Sequence, residues 1–298
     1  MLKSLSLRMF PPDMATVDRT ALARDAGFAG VEVNLEPWQE YSLDSSEQEL
    51  VGLRRAIESQ GLRVSTVYDR EQWHYPMSSQ DPAVRARCRE IIAGLVRAAT
   101  ILGTDTVLVM PGSVDNRILA PQPEIVPYDL AYRNATEVLS GLAGTVCAAN
   151  RVHLAIENCP GKFLVSPLEF AALVDAIGSP WVGCCLDTGN ALWYGFPEHW
   201  VSILGQRIKR VHLKDNRSAP DGAITATPLL AGDVNWPAVR DGLAATGYDG
   251  WLVAEVYPHY CFHPERLIFD TSAAIDAIFG PRFDRTSLPR PNYQRGES

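Results

Sequence analysis

Short runs rich in β-branched and apolar residues recur down this chain, each followed by a segment whose apolar positions fall at helical spacing. Such alternation leaves few folds open, because it reads as repeated βα units. The strand candidates are 5–9, 30–34, 63–69, 106–112, 153–159, 182–190, 208–215 and 250–257. Between them, Val84, Cys88, Ile91, Leu95 and Leu102 share one helical face while Arg85, Arg87, Arg89 and Arg97 lie largely elsewhere, which predicts an amphipathic surface helix over about 83–102. Asp81-Pro82 supplies a capping carboxylate and a first-turn proline, and Ser166-Pro167-Leu168-Glu169 reads as a capping box with proline at the first helical position. Successive strands start about 25 to 45 residues apart, with longer loops near 113–126 and 216–234.

No Pro/Gly/Ser-rich linker or shift in composition divides the chain, and 298 residues are close to the roughly 250 typical of eight βα units. The expected fold is therefore α/β, a single (β/α)₈ barrel over 1–280 followed by a polar, proline-containing tail over 281–298. A doubly wound open sheet is the alternative, but its GxGxxG fingerprint after the first strand is absent. Hydrophobic residues at 46% and charged residues at 21% exclude disorder as the dominant state. The formal charge of −8 argues against a nucleic-acid or anionic-membrane partner. With no apolar run of about 18 residues and no signal-type leader, the expected compartment is the cytoplasm. The six cysteines, lacking CxxC spacing, are expected to be free thiols, mostly buried.

In a (β/α)₈ barrel, chemistry is built at the C-terminal ends of the strands. Four strand candidates carry an ionisable residue there after an apolar run: Glu157, Asp187, His212 and Glu255. A buried carboxylate costs several kcal/mol unless paired, hydrogen-bonded or coordinated. Spaced 30, 25 and 43 residues apart, about one βα unit each, these four are expected to converge on one axial point as a divalent metal site. Oxygen-rich donors with one nitrogen suit Mn²⁺ first, with Mg²⁺, Co²⁺ and Zn²⁺ as alternatives. The competing reading makes Glu157 and Glu255 structural ion-pair partners of Lys214 or Arg217 and His212 a satisfied core histidine.

At these positions the chain resembles the sugar phosphate isomerase/epimerase group of xylose isomerase-like TIM barrels, ketose 3-epimerases among them. The resemblance rests on AIENCPG at 155–161, LDTGNA at 186–191, VHLKDNR at 211–217, GDVNWPAV at 232–239 and the strand bearing Glu255. It implies that Glu157, Asp187, His212 and Glu255 hold the metal, that the two glutamates form the acid–base pair, and that Arg217 contacts substrate oxygens. Two departures from the ketose 3-epimerase pattern stand out. Asn190 replaces a histidine and Phe163 a glutamate, so a substrate other than a free ketohexose is expected.

Such a site supports proton abstraction next to a carbonyl through a metal-stabilised enediolate, giving an isomerase or epimerase of a sugar, sugar phosphate or keto-sugar. A leaving group on the next carbon would turn the same site into a lyase or dehydratase acting on a keto-sugar, keto-inositol or keto-glycoside. Besides Arg217, Asn190 could hydrogen-bond a substrate hydroxyl, Lys214 could point inward or pair with a nearby carboxylate, and His74 beside Trp73 could line the pocket or belong to an ordinary loop. Trp193 and Trp236 read as packing residues, and His259 and His263 as residues near the mouth or on the surface. The expected partner is a small-molecule carbohydrate, with homo-oligomerisation left open. A DNA-repair nuclease and an inactive binding barrel are the remaining alternatives, disfavoured by the acidic charge and by the retained ligand set respectively.

Overall fold

In the computed structural model, which describes residues 1–117, 123–219 and 221–280, eight parallel strands close into a barrel. In chain order the strands are β1 (Leu2–Ser6), β2 (Gly30–Asn34), β3 (Arg63–Tyr68), β4 (Thr106–Val109), β5 (His153–Glu157), β6 (Val182–Asp187) and β7 (Ile208–Leu213), then a two-stranded hairpin of β8 (Asp215–Ser218) and β9 (Ile224–Thr227), and finally β10 (Trp251–Ala254). Around the barrel the order is β1-β10-β7-β6-β5-β4-β3-β2. The helices are α1 (Thr16–Asp25), α2 (Glu47–Ser59), α3 (Glu71–His74), α4 (Pro82–Leu102), α5 (Tyr128–Leu142), α6 (Ala148–Asn150), α7 (Pro167–Ile177), α8 (Thr188–Ala191), α9 (Pro197–Leu204), α10 (Trp236–Ala245) and α11 (Arg266–Phe279). Each barrel strand thus leads into helical structure on the outer wall. The tail expected at 281–298 and part of the loop expected at 113–126 lie outside the described residues. No helix among the described residues is long and apolar enough to cross a membrane.

Most strands stop earlier than the candidate bounds, and the first is displaced. The pattern of 5–9 reads as a strand, yet the ladder covers Leu2–Ser6 and Leu7–Met9 forms a 3₁₀ turn. Pairing decides this, because β1 matches β10 from Leu2↔Trp251 to Leu5↔Ala254 and β2 from Ser4↔Gly30 to Ser6↔Glu32. Arg8 is thereby lifted onto the rim. The expected loop at 216–234 holds the β8–β9 hairpin, whose strands are polar or exposed in part.

Helix starts follow their caps. Asp81 Oδ1 accepts from Ala83 N at 2.8 Å ahead of α4, whose C-terminal Gly103 adopts φ +78°. Ser166 Oγ accepts from Leu168 N, but the reciprocal half of the expected capping box is not formed. Glu169 Oε2 instead accepts from the Tyr128 hydroxyl at 2.7 Å.

The main core lies between the strands and the helical shell, with Leu5, Val31, Val67, Ile91, Leu95, Leu154, Phe170 and Trp200 among its buried members. A separate apolar group inside the barrel, Tyr68, Leu108, Met110, Ala155, Cys159 and Cys185, is joined by Trp73. Towards the N-terminal ends, Arg210 donates to Ser65 O at 3.0 Å and to Asp105 Oδ1 at 2.6 Å, and the Ser4 and Ser65 hydroxyls meet at 2.7 Å. Those polar groups satisfy one another, as burial requires. All six cysteines are free; five are buried and Cys261 is exposed.

Candidate metal centre

Strand register brings the four strand-end residues together. Asp187 on β6 lies opposite His212 on β7, and Glu157 ends β5 beside Cys185 of β6. Glu255 follows β10, its backbone N–H donating to Leu213 O at 3.1 Å. One donor atom from each of Glu157, Asp187, His212 and Glu255 lies within 4.8 Å of all the others, and all four residues are buried. They come from four consecutive barrel strands, with the glutamates outermost.

Three of the four are aimed by neighbours. His212 Nε2 lies 3.1 Å from Glu32 Oε2 on β2, and Nδ1 lies 3.2 Å from Glu157 Oε1 and 3.8 Å from Glu255 Oε2. Cys185, Glu32 and Glu157 raise the His212 ring well above its usual range; in the neutral ring that a metal requires, an Nε2–H donated to Glu32 would leave the Nδ1 lone pair facing the carboxylates, a carboxylate–histidine arrangement typical of metal ligands. The Asn158 side chain clasps the Asp187 backbone, Oδ1 accepting from its N–H at 2.7 Å and Nδ2 donating to its C=O at 2.9 Å. Asp187 Oδ1 in turn accepts from Asn190 N at 2.7 Å and caps α8. Lys214 Nζ reaches Glu255 Oε2 at 2.8 Å and Asp187 Oδ2 at 3.4 Å. Gly189 allows this approach, since a Cβ there would stand 2.7 Å from Lys214 Cγ.

Burial pushes the Glu157 carboxyl up to about 7 and also raises Asp187. Burial works in the same direction on Glu255, but Lys214, His212 and Arg8 outweigh it and hold that carboxyl well below the usual range. The donor set fits a divalent cation: three carboxylates and one imidazole converge, and Glu157 Oε1 and His212 Nδ1, 3.2 Å from each other, are buried with no other partner.

The remaining candidates are placed variously. Asn190 is buried next to Asp187 and contributes its backbone N–H there. Lys214 is part of the cluster. Arg217 lies exposed on the β8–β9 hairpin, donating to Ala231 O, and His74 ends α3 without a described contact to the cluster. Trp73 Nε1 donates to the Tyr68 hydroxyl at 3.1 Å. Phe163 is buried in the main core against Tyr128, ring centroids 5.6 Å apart. Trp193 is exposed, whereas Trp236 is buried and donates to Asp215 at 3.0 Å. His259 Nε2 lies 2.7 Å from Met9 O, and His263 is exposed beside Glu265. The sequence reading passed over Glu32, Asn158 and Arg8. Glu32 and Arg8 carried the same signal as the others, a charge set in an apolar run.

Comparison with known proteins agrees with this architecture. Residues 20–278 match the family model for xylose isomerase-like TIM barrels. A putative L-ribulose-5-phosphate 3-epimerase of Escherichia coli strain K12 is 26% identical over 278 residues, covering 89% of this chain and 92% of the relative. Among solved structures, L-ribulose 3-epimerase superposes with a TM-score of 0.75 at 20% identity, covering 93% of this chain and 94% of that one. The IOLI protein with a bound zinc atom gives 0.77 at 15% identity, covering 95% and 100%.

Proposed function

The chain belongs to the xylose isomerase-like TIM barrel family, and on that premise we propose that it is a divalent-metal-dependent sugar isomerase or epimerase that abstracts a proton next to a carbonyl. The observation that carries this is the convergence of Glu157, Asp187, His212 and Glu255, two of whose donor atoms are buried with no other partner. The naming of a relative, matched over 92% of its length, as a putative 3-epimerase favours epimerisation over elimination. Its substrate name also makes five-carbon ketoses and their phosphates the first compounds to try.

Glu157, Asp187, His212 and Glu255 would hold a divalent ion, Mn²⁺ by preference given the oxygen-rich donors, which would supply polarisation of the substrate carbonyl and offset the charge that develops on proton loss. The protein's own groups do the rest. Glu157 and Glu255 enter from strands three positions apart around the barrel, so one carboxylate removes the proton and the other delivers one to the opposite face. Lys214, bonded to Glu255, stands where it can donate to a substrate oxygen, as does the side chain of Asn190. Tyr68 and Trp73, packed with the apolar group inside the barrel, limit water at the reacting carbon.

The test is to load the protein with Mn²⁺, incubate it in D₂O with free and phosphorylated ketoses, and follow deuterium at the carbon next to the carbonyl by NMR and mass spectrometry. Incorporation without loss of mass is expected, and Glu157→Gln and Glu255→Gln should each abolish it. Retained metal together with full activity in both variants would sink the proposal.

A further inference from the structure

Beside the metal cluster stands a polar group that the chemistry outlined above leaves unused. Arg8, on the Leu7–Met9 turn after β1, places Nη1 3.3 Å from Glu255 Oε1 and its guanidinium carbon 5.7 Å from the centroid of the Tyr68 ring. Glu255 is the one hydrogen-bond partner of that guanidinium among the described residues, so most of its N–H donors are uncommitted although the side chain is only 23% exposed. Two further groups act electrostatically on Arg8 from the neighbouring rim, Glu36 following β2 and Tyr257 following β10. Glu36 is 2% exposed. Both its Oε1 and the Tyr257 hydroxyl are buried without a hydrogen-bond partner. Buried polar atoms of this kind are normally satisfied, and here the missing partners point to a ligand.

The chemistry of the three groups is specific. Arg8 offers donors only and the Tyr257 hydroxyl both; burial raises the Glu36 carboxyl, but Arg8 and Arg70 favour its ionised form, which offers acceptors only. A sugar hydroxyl donates and accepts, so a hydroxyl-bearing carbon chain can satisfy all three at once. A phosphate monoester dianion could engage Arg8, but it has no proton for Glu36 Oε1 and would set its charge beside Glu36 and Glu255. Sites built around a hydroxyl discriminate strongly against analogues that cannot reproduce the hydrogen bond.

We propose that Arg8, Glu36 and Tyr257 form a subsite for the hydroxylated end of an unphosphorylated ketose, with Glu36 and Arg8 as the specificity-determining residues. This rests on the isomerase/epimerase reading and narrows it to uncharged substrates, although the similar epimerase named above is described as acting on a phosphate ester.

The experiment separates binding from turnover. Calorimetric titration of the Mn²⁺-loaded full chain with ribitol and xylitol, against ribitol 5-phosphate and xylitol 5-phosphate, reads the subsite without requiring reaction. The free polyols are expected to bind at least about tenfold more tightly than the esters, and Glu36→Gln to shrink that preference by at least about tenfold. In D₂O exchange with L-ribulose, Arg8→Lys should raise KM about tenfold while kcat changes less and metal content stays constant. Tighter binding of the esters, no binding of either class, or a preference untouched in a folded Glu36→Gln protein would overturn the subsite. Should the variants fail to fold, the wild-type preference alone decides. Polyol binding with the expected preference but no exchange in any ketose would leave the subsite standing and overturn the isomerase reading instead.

Discussion

His212 shows how much a single side chain depends on its neighbours. Its Nε2 faces Glu32 at 3.1 Å, which fixes the ring and leaves Nδ1 towards Glu157 and Glu255. Glu32→Gln keeps the size but weakens the orienting hydrogen bond, so metal affinity should fall about 10–100-fold, measured by competitive titration with a chelating dye. Affinity should also depend on pH. Burial raises Glu157 to about 7 in the protein without bound metal, so its carboxylate is increasingly protonated as pH falls below that value. Metal must then displace a proton. Apparent affinity should therefore drop as pH falls from 7 to 5, with the fall flattened in Glu157→Gln, while His212, held protonated by Cys185, Glu32 and Glu157, adds a second proton for the metal to displace. The four converging residues were legible because a charge at the end of an apolar run needs a reason to be buried. Glu32 and Arg8 offered the same signal but were not read. Glu32 sits within β2, and Arg8 looked like the middle of a strand until pairing placed it on a turn. Arg217, legible only through resemblance, lies exposed on the hairpin.

Among the elements, helix starts were the best read and strand ends the worst. Caps act locally, and Asp81 bonds Ala83 N at 2.8 Å just where the sequence places a cap. Asp81→Ala should cost about 1 kcal/mol and lower the thermal midpoint by about 2–4 °C, measured by calorimetry with metal content unchanged. Strand ends, by contrast, are set by partners. The strand candidates run past Tyr68, Val109, Glu157 and Asp187, whereas the ladder stops there. The β8–β9 hairpin escaped notice for a different reason, since neither strand is buried enough to carry an alternating pattern. Its anchor is Asp215, whose carboxylate accepts from the backbone N–H groups of Leu230, Gly232 and Val234 and from the Trp236 indole. Asp215→Ala would strand these donors, so limited proteolysis should cut within about 228–236 far faster in the variant than in the wild type, with cleavage elsewhere little changed.

At the scale of the whole molecule, eight βα units announced the single barrel, because alternation over so many repeats tolerates errors at each boundary. Its stability should carry one pH signature away from the metal cluster. Burial raises the Asp69 carboxyl to about 7, and one of its oxygens has no partner while the other accepts from Glu71 N at 2.8 Å. The folded protein therefore holds this proton more tightly than the unfolded chain does. The resulting stability is complete below about pH 4 and is lost as pH rises through 7. Asp69→Asn keeps an acceptor without the charge, so its thermal midpoint should exceed the wild-type value by a few degrees at pH 8 and converge with it near pH 4. The two ends of the barrel also differ in a way that bears on handling the protein. The strand ends bearing Glu157, Asp187, His212 and Glu255 crowd one rim, while the N-terminal amine sits at the other, paired with Asp249 just ahead of β10. An affinity tag or a solid support coupled through Met1 would thus be attached on the far side from the rim that carries Glu157, Asp187, His212 and Glu255, leaving that opening free to face the flowing solution.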